Sequence, residues 1–368
     1  MKFIDLDRQY RELEGKIKAN INAVLEHGAY IRGPEITELE SSLCNFTGAK
    51  HTICMSSGTT ALQVALMALD IGPGDEVIVP AFSFFATVEV ILLLGATPIF
   101  ADIDPATFNL DANNVEQLIT KNTKAIMPVS LYGLPANFIN INAIAKKYNI
   151  AVIDDAAQSI GASINGINTG NLTHITATSF FPSKPLGCYG DGGALFTNDD
   201  ALAEKMRLII QHGESSRYHH SIVGINGRMA TLQAAVLLAK LEVFPAELQR
   251  RAEIANYYRK NLAKKNIITQ EIPEGYTSPY AQFTIKVSNR DKVISDLQAQ
   301  QIPTSVHYPL GMHLQPAYTN KFSTKWNLPN TEKASKVVVS LPFHPYLEAE
   351  EIDKVCAAVV EAEALVGA

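Results

Sequence analysis

Positive charge is not in excess in this sequence. Lys and Arg number 31 against 37 Asp and Glu, a formal net charge of −6. Chains that hold nucleic acid by bulk charge are strongly basic, so this balance argues against that class of partner. Cysteine is scarce too. Cys44, Cys54, Cys188 and Cys356 lie far apart, and no CxxC pair or Cys/His ligand spacing connects them. Free thiols in a reducing compartment are expected, and no metal site. An unbroken apolar run is also missing. The most membrane-like stretch, residues 77–100, contains Pro80, Glu89, Gly95 and Pro98. It reads as strand, loop, buried helix, turn and strand rather than a bilayer span. The opening "MKFIDLDRQYRELEGKI" has charges every few residues and no apolar centre of a secretory leader. A cytoplasmic protein without membrane contact is the expectation. Neither GxxxxGK[ST] nor GxGxxG occurs, so a P-loop and a nicotinamide-type dinucleotide fold both lack support. No short-period repeat is present.

What the chain does contain is alternation. Its 368 residues are enough for two domains. Two amphipathic helices close at Gly28 and Gly48. Short, almost wholly apolar strand signals then alternate with helix signals. They include "HTICMSSG", "EVIVP", "TPIFADI", "KAIMPVSLYG", "IAVIDDAAQ", "TATSFFPS" and "GALFTND" as strands, and "NVEQLIT" as one of the helices. Apolar strands separated by helices imply a mainly parallel sheet covered on both faces. From Arg228 a long helical stretch follows, expected to be interrupted at Pro245. After it come a strand in "YAQFTIKV", a helix in "DKVISDLQAQ", a strand in "IPTSVHYP" and a C-terminal helix over residues 348–366. The expected division is a large α/β domain over residues 1–245 and a smaller α+β domain over residues 246–368.

Open α/β sheets bind ligands beyond the carboxyl ends of their strands, so the strand-to-helix junctions carry the candidates. At "MSSGTTAL", Gly58 and Thr59 start a helix. Small residues there let backbone N–H groups approach an anion, although for this motif alone simple capping by Ser or Thr is the more ordinary explanation. At "IAVIDDAAQSIG", Asp154 and Asp155 end an apolar strand, with Gln158 just beyond. A carboxylate in that place caps a helix, binds a metal or pairs with a cationic ligand atom. In "SFFPSKPLGCYGDGG", Lys184 precedes a proline, which favours an extended loop. A loop lysine is ordinarily solvated, but Phe180, Phe181, Pro182, Pro185, Leu186 and Tyr189 surround this one in sequence. Desolvation lowers an ammonium pKa and makes the amine nucleophilic. Taken together, the three junctions offer an anion site, an acid and an amine. Those are the contributions that pyridoxal 5′-phosphate (PLP) requires of a protein.

These motifs resemble the DegT/StrS family of PLP-dependent nucleotide-sugar aminotransferases along nearly the whole chain. The matching segments are "FIDLDRQY", "GAYIRGPEITELE", "SSGTTALQVALMAL", "GPGDEVIVPAFSFFAT", "GATPIFADID", "VIDDAAQSIGA", "TSFFPSKPLGCYGDGGALFTND", "HYP" and "SLPFHPYL". The resemblance implies the PLP-transferase fold of type I, with a mostly parallel sheet between helices and a smaller C-terminal domain. It implies Lys184 as the lysine that holds PLP as an imine and moves the proton. Asp155 is implied as the partner of the pyridine nitrogen, and Gln158 as the contact to the phenolic oxygen. Gly58, Thr59 and Ser179 are implied as phosphate contacts. Phe84 matches the aromatic stacked on the ring, where many relatives have Tyr or Trp. Asn226 matches an asparagine that reaches the phosphate of a neighbouring subunit, which implies a homodimer. Asp154 departs from the pattern, since relatives often have Glu there.

The stretches "SKPLGCYGDGG" and "HGESSRYHHSIVGINGRMATLQAA" resemble the part of the family acting at C3 of a UDP-linked hexuronate. The implied substrates are L-glutamate, released as 2-oxoglutarate, and UDP-2-acetamido-2-deoxy-3-oxo-glucuronate, on the way to a surface polysaccharide or O-antigen. Arg217, Tyr218, His219 and Arg228, with His307 and Tyr308, are candidates to meet the sugar. Arginine pairs well with carboxylate or diphosphate. Two alternatives stand beside this reading: an aminotransferase for a 4-keto-6-deoxy nucleotide sugar, and a non-catalytic regulatory relative.

Overall fold

The computed structural model describes residues 1–264 and 267–364. Helix α1 (Leu6–His27) and α2 (Pro34–Thr47) end at Gly28 and Gly48, which adopt φ of 71° and 79°. A left-handed C-cap residue of that kind satisfies the last carbonyls, and glycine reaches it without strain. The chain then runs β1 (His51–Met55), α3 (Gly58–Ala68), β2 (Glu76–Pro80), α4 (Ala86–Leu93), β3 (Thr97–Ala101), β4 (Thr123–Ile126), α5 (Phe138–Tyr148) and β5 (Ala151–Asp155). A two-residue hairpin, β6 (Ser163–Ile164) and β7 (Ile167–Asn168), precedes β8 (Ile175–Ser179), β9 (Gly193–Thr197) and α6 (Asp200–Ile209).

Seven of these strands form one sheet in the order β1-β9-β8-β5-β4-β2-β3. The pairs β3–β2, β2–β4, β4–β5 and β5–β8 are parallel, and β9 alone runs antiparallel to both its neighbours. Side chains alternate between two covered faces, as strand geometry requires. Ile53, Met55, Val77, Val79 and Ile153 pack toward α3, α4 and α6. Cys54, Ala194 and Phe196 pack toward α2 and the long helix that follows, and Ile78, Ile126 and Val152 toward α5. The continuous apolar strands in the sequence are thus the product of burial on both sides.

Beyond α6 an exposed hairpin, β10 (Glu214–Ser216) and β11 (His219–His220), leads to α7 (Thr231–Ala263). The second core is built on β12 (Ile268–Thr269), β13 (Phe283–Lys286), α8 (Arg290–Ala299), β14 (Val338–Leu341) and α11 (Ala349–Ala364), while α9 (Pro316–Thr319) and α10 (Pro329–Val337) place Tyr318 and Ala334 in clusters of the large sheet's side. Strands β12, β13 and β14 make a small antiparallel sheet. Tyr258 of α7, Phe283, Leu341 and Val359 lie in its core.

Four expectations are corrected. The segment "NVEQLIT" is not an α-helix but two 3₁₀ turns, Ala112–Asn114 and Glu116–Leu118. It is too short to nucleate a helix alone, and Asp111 caps the tight turn through Asn113 N–H. The strand in "KAIMPVSLYG" stops at Ile126, since Pro128 has no N–H to continue the ladder. The strand in "IPTSVHYP" reduces to a single bridge, Ser305 with Ser340, between Pro303 and Pro309. Helix α7 is not interrupted at Pro245 but is one helix of 33 residues. An interior proline costs a helix about 3 kcal/mol. Here both halves are packed, against α1 and α2 on one side and α11 on the other. Residue 245 therefore falls inside an unbroken helix. Of the expected helical stretches, residues 265–266 and 365–366 lie outside the described residues. Among the described residues no helix is long and apolar enough to cross a membrane.

Candidate active site

The start of α3 is built for close approach. Ser57 caps it, its Oγ accepting the Thr60 N–H at 3.0 Å, while the Ser57 carbonyl accepts from Ala61. The N–H groups of Gly58 and Thr59 are left without intrahelical partners, and the helix dipole makes that end positive. A Cβ on Gly58 would lie 2.6 Å from the Ser179 Cβ, so only glycine lets α3 begin against the end of β8. Ser179 is fixed in turn, its Oγ accepting the Phe181 N–H at 3.2 Å. Gly58, Thr59 and Ser179 line one side of a cavity of about 520 Å³.

Asp155, at the end of β5, lines the same cavity. Its Oδ2 accepts from Thr87 Oγ1 at 2.7 Å and its Oδ1 from the Ala157 N–H at 3.3 Å. Burial raises its carboxyl above the ordinary carboxylate value, and the Thr87 and Ala157 bonds and the charge of Lys184 offset that only in part. Asp154 points to the opposite face, as successive strand residues must. It accepts from Ser130 Oγ at 2.7 Å, and burial pushes it up to about 8. The two adjacent acids therefore differ in kind. Asp155 faces the cavity within the field of Lys184, and Asp154 is sealed in the core, where burial favours its protonated form.

Lys184 does not sit in an extended loop. Its N–H closes a turn onto the Phe181 carbonyl at 2.8 Å. The side chain is half-buried and lines the same cavity as Asp155. Burial lowers its pKa and Asp155 works against that, which leaves an ammonium easier to deprotonate than one in water. Gln158 is anchored by the Tyr132 N–H, which its Oε1 accepts at 2.8 Å, and its Nε2 lies 3.4 Å from the Tyr308 hydroxyl. Phe84 is 59% exposed at the cavity wall, its ring 6.3 Å from that of Tyr308. His307 lies 2.8 Å from Ser340 Oγ through Nδ1, and its carbonyl accepts from the Tyr132 hydroxyl. Burial, then the nearby Lys184 charge, hold its ring down to about 4, so it is neutral at physiological pH.

The cavity thus gathers Gly58, Thr59, Phe84, Asp155, Gln158, Ser179, Lys184, His307 and Tyr308. It does not gather Arg217, Tyr218, His219, Asn226 or Arg228. The first three lie on the β10–β11 hairpin, where Tyr218 is 78% exposed with the Arg217 guanidinium 5.1 Å from its ring centre. Arg228 donates to Asn226 Oδ1 through Nε at 3.1 Å and Nη2 at 3.0 Å. Sequence reasoning missed Thr87, Tyr132 and Gln282. Thr87 and Asp155 are 68 positions apart, and no local pattern marks their bond. Among the described residues no group of three or more His, Cys, Asp or Glu is placed to hold a metal.

An amine, a hydrogen-bonded carboxylate and bare helix-start N–H groups converge at the carboxyl edge of a mostly parallel sheet. That combination fits what pyridoxal 5′-phosphate asks of a protein: an amine for an aldehyde, a carboxylate for a ring nitrogen and an anion site for a phosphate. The chain belongs to the DegT/DnrJ/EryC1/StrS aminotransferase family, whose signature matches residues 11–360. It is 52% identical to the UDP-2-acetamido-2-deoxy-3-oxo-D-glucuronate aminotransferase of Pseudomonas aeruginosa, over 98% of this chain and 99% of that protein. It is 41% identical to a pleiotropic regulatory protein of Geobacillus stearothermophilus, over 97% of each. The structure superposes on NtdA of Bacillus subtilis, solved with the cofactor PMP bound, with a TM-score of 0.91 and 33% identity over 98% of this chain and 83% of that one.

Proposed function

We propose that this protein is a PLP-dependent aminotransferase that moves an amino group from L-glutamate to C3 of UDP-2-acetamido-2-deoxy-3-oxo-glucuronate. The observation that carries the enzymatic reading is the single cavity shared by Lys184, Asp155 and the bare N–H groups at Gly58 and Thr59. The sugar is supported by the 52% identity to the Pseudomonas aeruginosa enzyme of that name. When bound, the cofactor's protonated ring supplies an electron sink for charge that develops at the substrate carbon.

The protein's own residues do the rest. Lys184 supplies the amine that carries the cofactor and, once released, holds and moves a proton at the reacting carbon. Asp155, aimed by Thr87 and the Ala157 N–H, pairs with the ring nitrogen and keeps it protonated; those two hydrogen bonds and the Lys184 charge favour the carboxylate form against the burial that raises it. Gly58, Thr59 and Ser179 bind the phosphate, Gln158 the phenolic oxygen, and Phe84 covers one face of the ring. His307 and Tyr308 face the sugar from within the same subunit. Arg217, Tyr218, His219, Asn226 and Arg228 are exposed, or turned to one another, in one chain. In this reading they complete the neighbouring site of a cytoplasmic homodimer, with Asn226 reaching the partner's phosphate.

Two measurements test the proposal in sequence. Protein purified with PLP should absorb in the visible and be bleached by L-glutamate, and Lys184→Ala should do neither. A colourless wild-type protein would leave the regulatory reading standing instead. Turnover with glutamate against UDP- and dTDP-linked 3-keto and 4-keto sugars then decides the substrate. Preference for a 4-keto-6-deoxy sugar would overturn the C3 assignment.

A further inference from the structure

Lys240 is a buried charge that the chemistry above does not use. It lies on α7 and is 1% exposed. Its Nζ donates to the Gly187 carbonyl at 2.6 Å and sits 4.3 Å from the centre of the Tyr189 ring. Burial pulls its pKa down to about 8, opposed by Glu247. An ammonium kept out of water against that penalty has to be compensated by the groups it holds.

The carbonyl it holds is three residues past Lys184, in a loop folded back on itself. Lys184 N–H meets the Phe181 carbonyl, and Cys188 N–H meets the Phe180 carbonyl, each at 2.8 Å. A Cβ on Gly187 would lie 2.5 Å from the Pro182 carbonyl oxygen, which shows how tightly the loop closes. A second α7 side chain, Gln233, accepts the Tyr189 N–H at 2.9 Å. The loop that presents Lys184 is therefore tied to one rigid helix at Gly187 and at Tyr189.

We propose that α7 positions Lys184 through this grip, with Lys240 as the principal positioning residue and Gln233 as its support. The proposal rests on the reading that Lys184 carries the cofactor. Lys240→Met keeps the apolar stem of the side chain, one atom shorter, and removes the donor. Lys240→Gln keeps a donor and removes the charge. In the PLP-loaded enzyme, Lys240→Met should lower kcat about ten-fold with the KM for glutamate within about two-fold, since small misplacement of a reacting group is costly. The visible band should shift, and hydrogen exchange should quicken at residues 181–189 but not along α7. Lys240→Gln should recover at least half of the loss.

A Lys240→Met enzyme that matches wild type in kcat and band overturns the proposal. So does exchange that rises equally in the loop, α7 and the sheet, or a Gln variant no better than Met. If Lys240→Met does not fold, Gln233→Leu takes its place. Changes confined to the band and to residues 181–189 support the grip, and none overturns it. Wild-type protein with no visible band removes the cofactor assignment and this one with it. Wild type with a band that Lys240→Met leaves unaltered removes only the role of α7.

Discussion

The cavity around Lys184 and the hairpin around Arg217 form opposite kinds of surface. In the cavity, polar side chains are held by hydroxyls or by backbone N–H groups. Thr87 fixes Asp155, Tyr132 fixes Gln158, and Ser340 meets His307. On the hairpin, Arg217 and Tyr218 are exposed and contact each other, with the Tyr218 N–H held by Glu214. The contrast separates two tasks. Chemistry common to every substrate needs groups fixed before anything binds. Choice among substrates can be left to a surface that another molecule completes.

That division can be broken experimentally, and the largest effect is expected at its centre. Asp155→Ala removes the carboxylate beside Lys184 and should reduce kcat/KM on the order of 10²–10³-fold, the range seen when one electrostatic partner is deleted. Steady-state kinetics with saturating PLP checks this, and a loss under about ten-fold would remove Asp155 from its role. Gly58→Ala comes next. Its new Cβ would clash with Ser179. The enzyme should weaken in PLP affinity and lose about 1–3 kcal/mol of stability from overpacking. A PLP titration and thermal melts read both.

Asp154→Asn tests the other face of β5 through pH. The folded pKa of Asp154 is raised from 3.8 to about 8, so between those values the native state binds the proton more tightly than the unfolded chain does. Stability from this group is complete near pH 4 and is lost as pH rises toward about 8. Asparagine does not titrate, so wild type should lose stability relative to the variant across that window. Chemical melts at pH 5 and pH 8 check the sign, and a gap that narrows the other way would show Asp154 to be ionised in the fold. The smallest effect is expected at the hairpin. Arg217→Ala should raise the sugar KM about two- to five-fold, as loss of one exposed, solvent-screened contact does, and leave the PLP band and the glutamate half-reaction unchanged. If it altered the band as strongly as Asp155→Ala, the two regions would not be separate in task.

The parts legible in the sequence share a property. Gly58, Asp155 and Lys184 each lie at the end of an apolar strand or just past it, and strands with their following turns announce themselves locally. What was not legible depends on packing between distant segments. Nothing near Thr87 signals that its hydroxyl will meet Asp155. The pair Asp154–Asp155 shows that one acid faces the site and the other does not, but which one depends on the neighbours of β5. Pro245 reads as a helix breaker, and local propensity gave way to two packed helix halves. The bridge at Ser305 failed to become a strand for the converse reason, since prolines on either side outweighed an apolar pattern.

The unbroken α7 has a consequence for how this molecule could be taken apart. A helix of 33 residues is about 50 Å long. Its first half buries Leu237 and Phe244 against α2, while its second half supplies Ile254 and Tyr258 to the small sheet. Cutting the chain at residue 245 would leave each half-helix with its own core, but it would break the backbone ladder of α7 and part Glu247 from Gln9 and Leu248 from the apolar cluster that includes Leu43 and Phe244. The two halves are therefore not interchangeable modules. A chimaera that grafts one relative's small domain onto another's large one has to inherit the whole of α7 from a single parent.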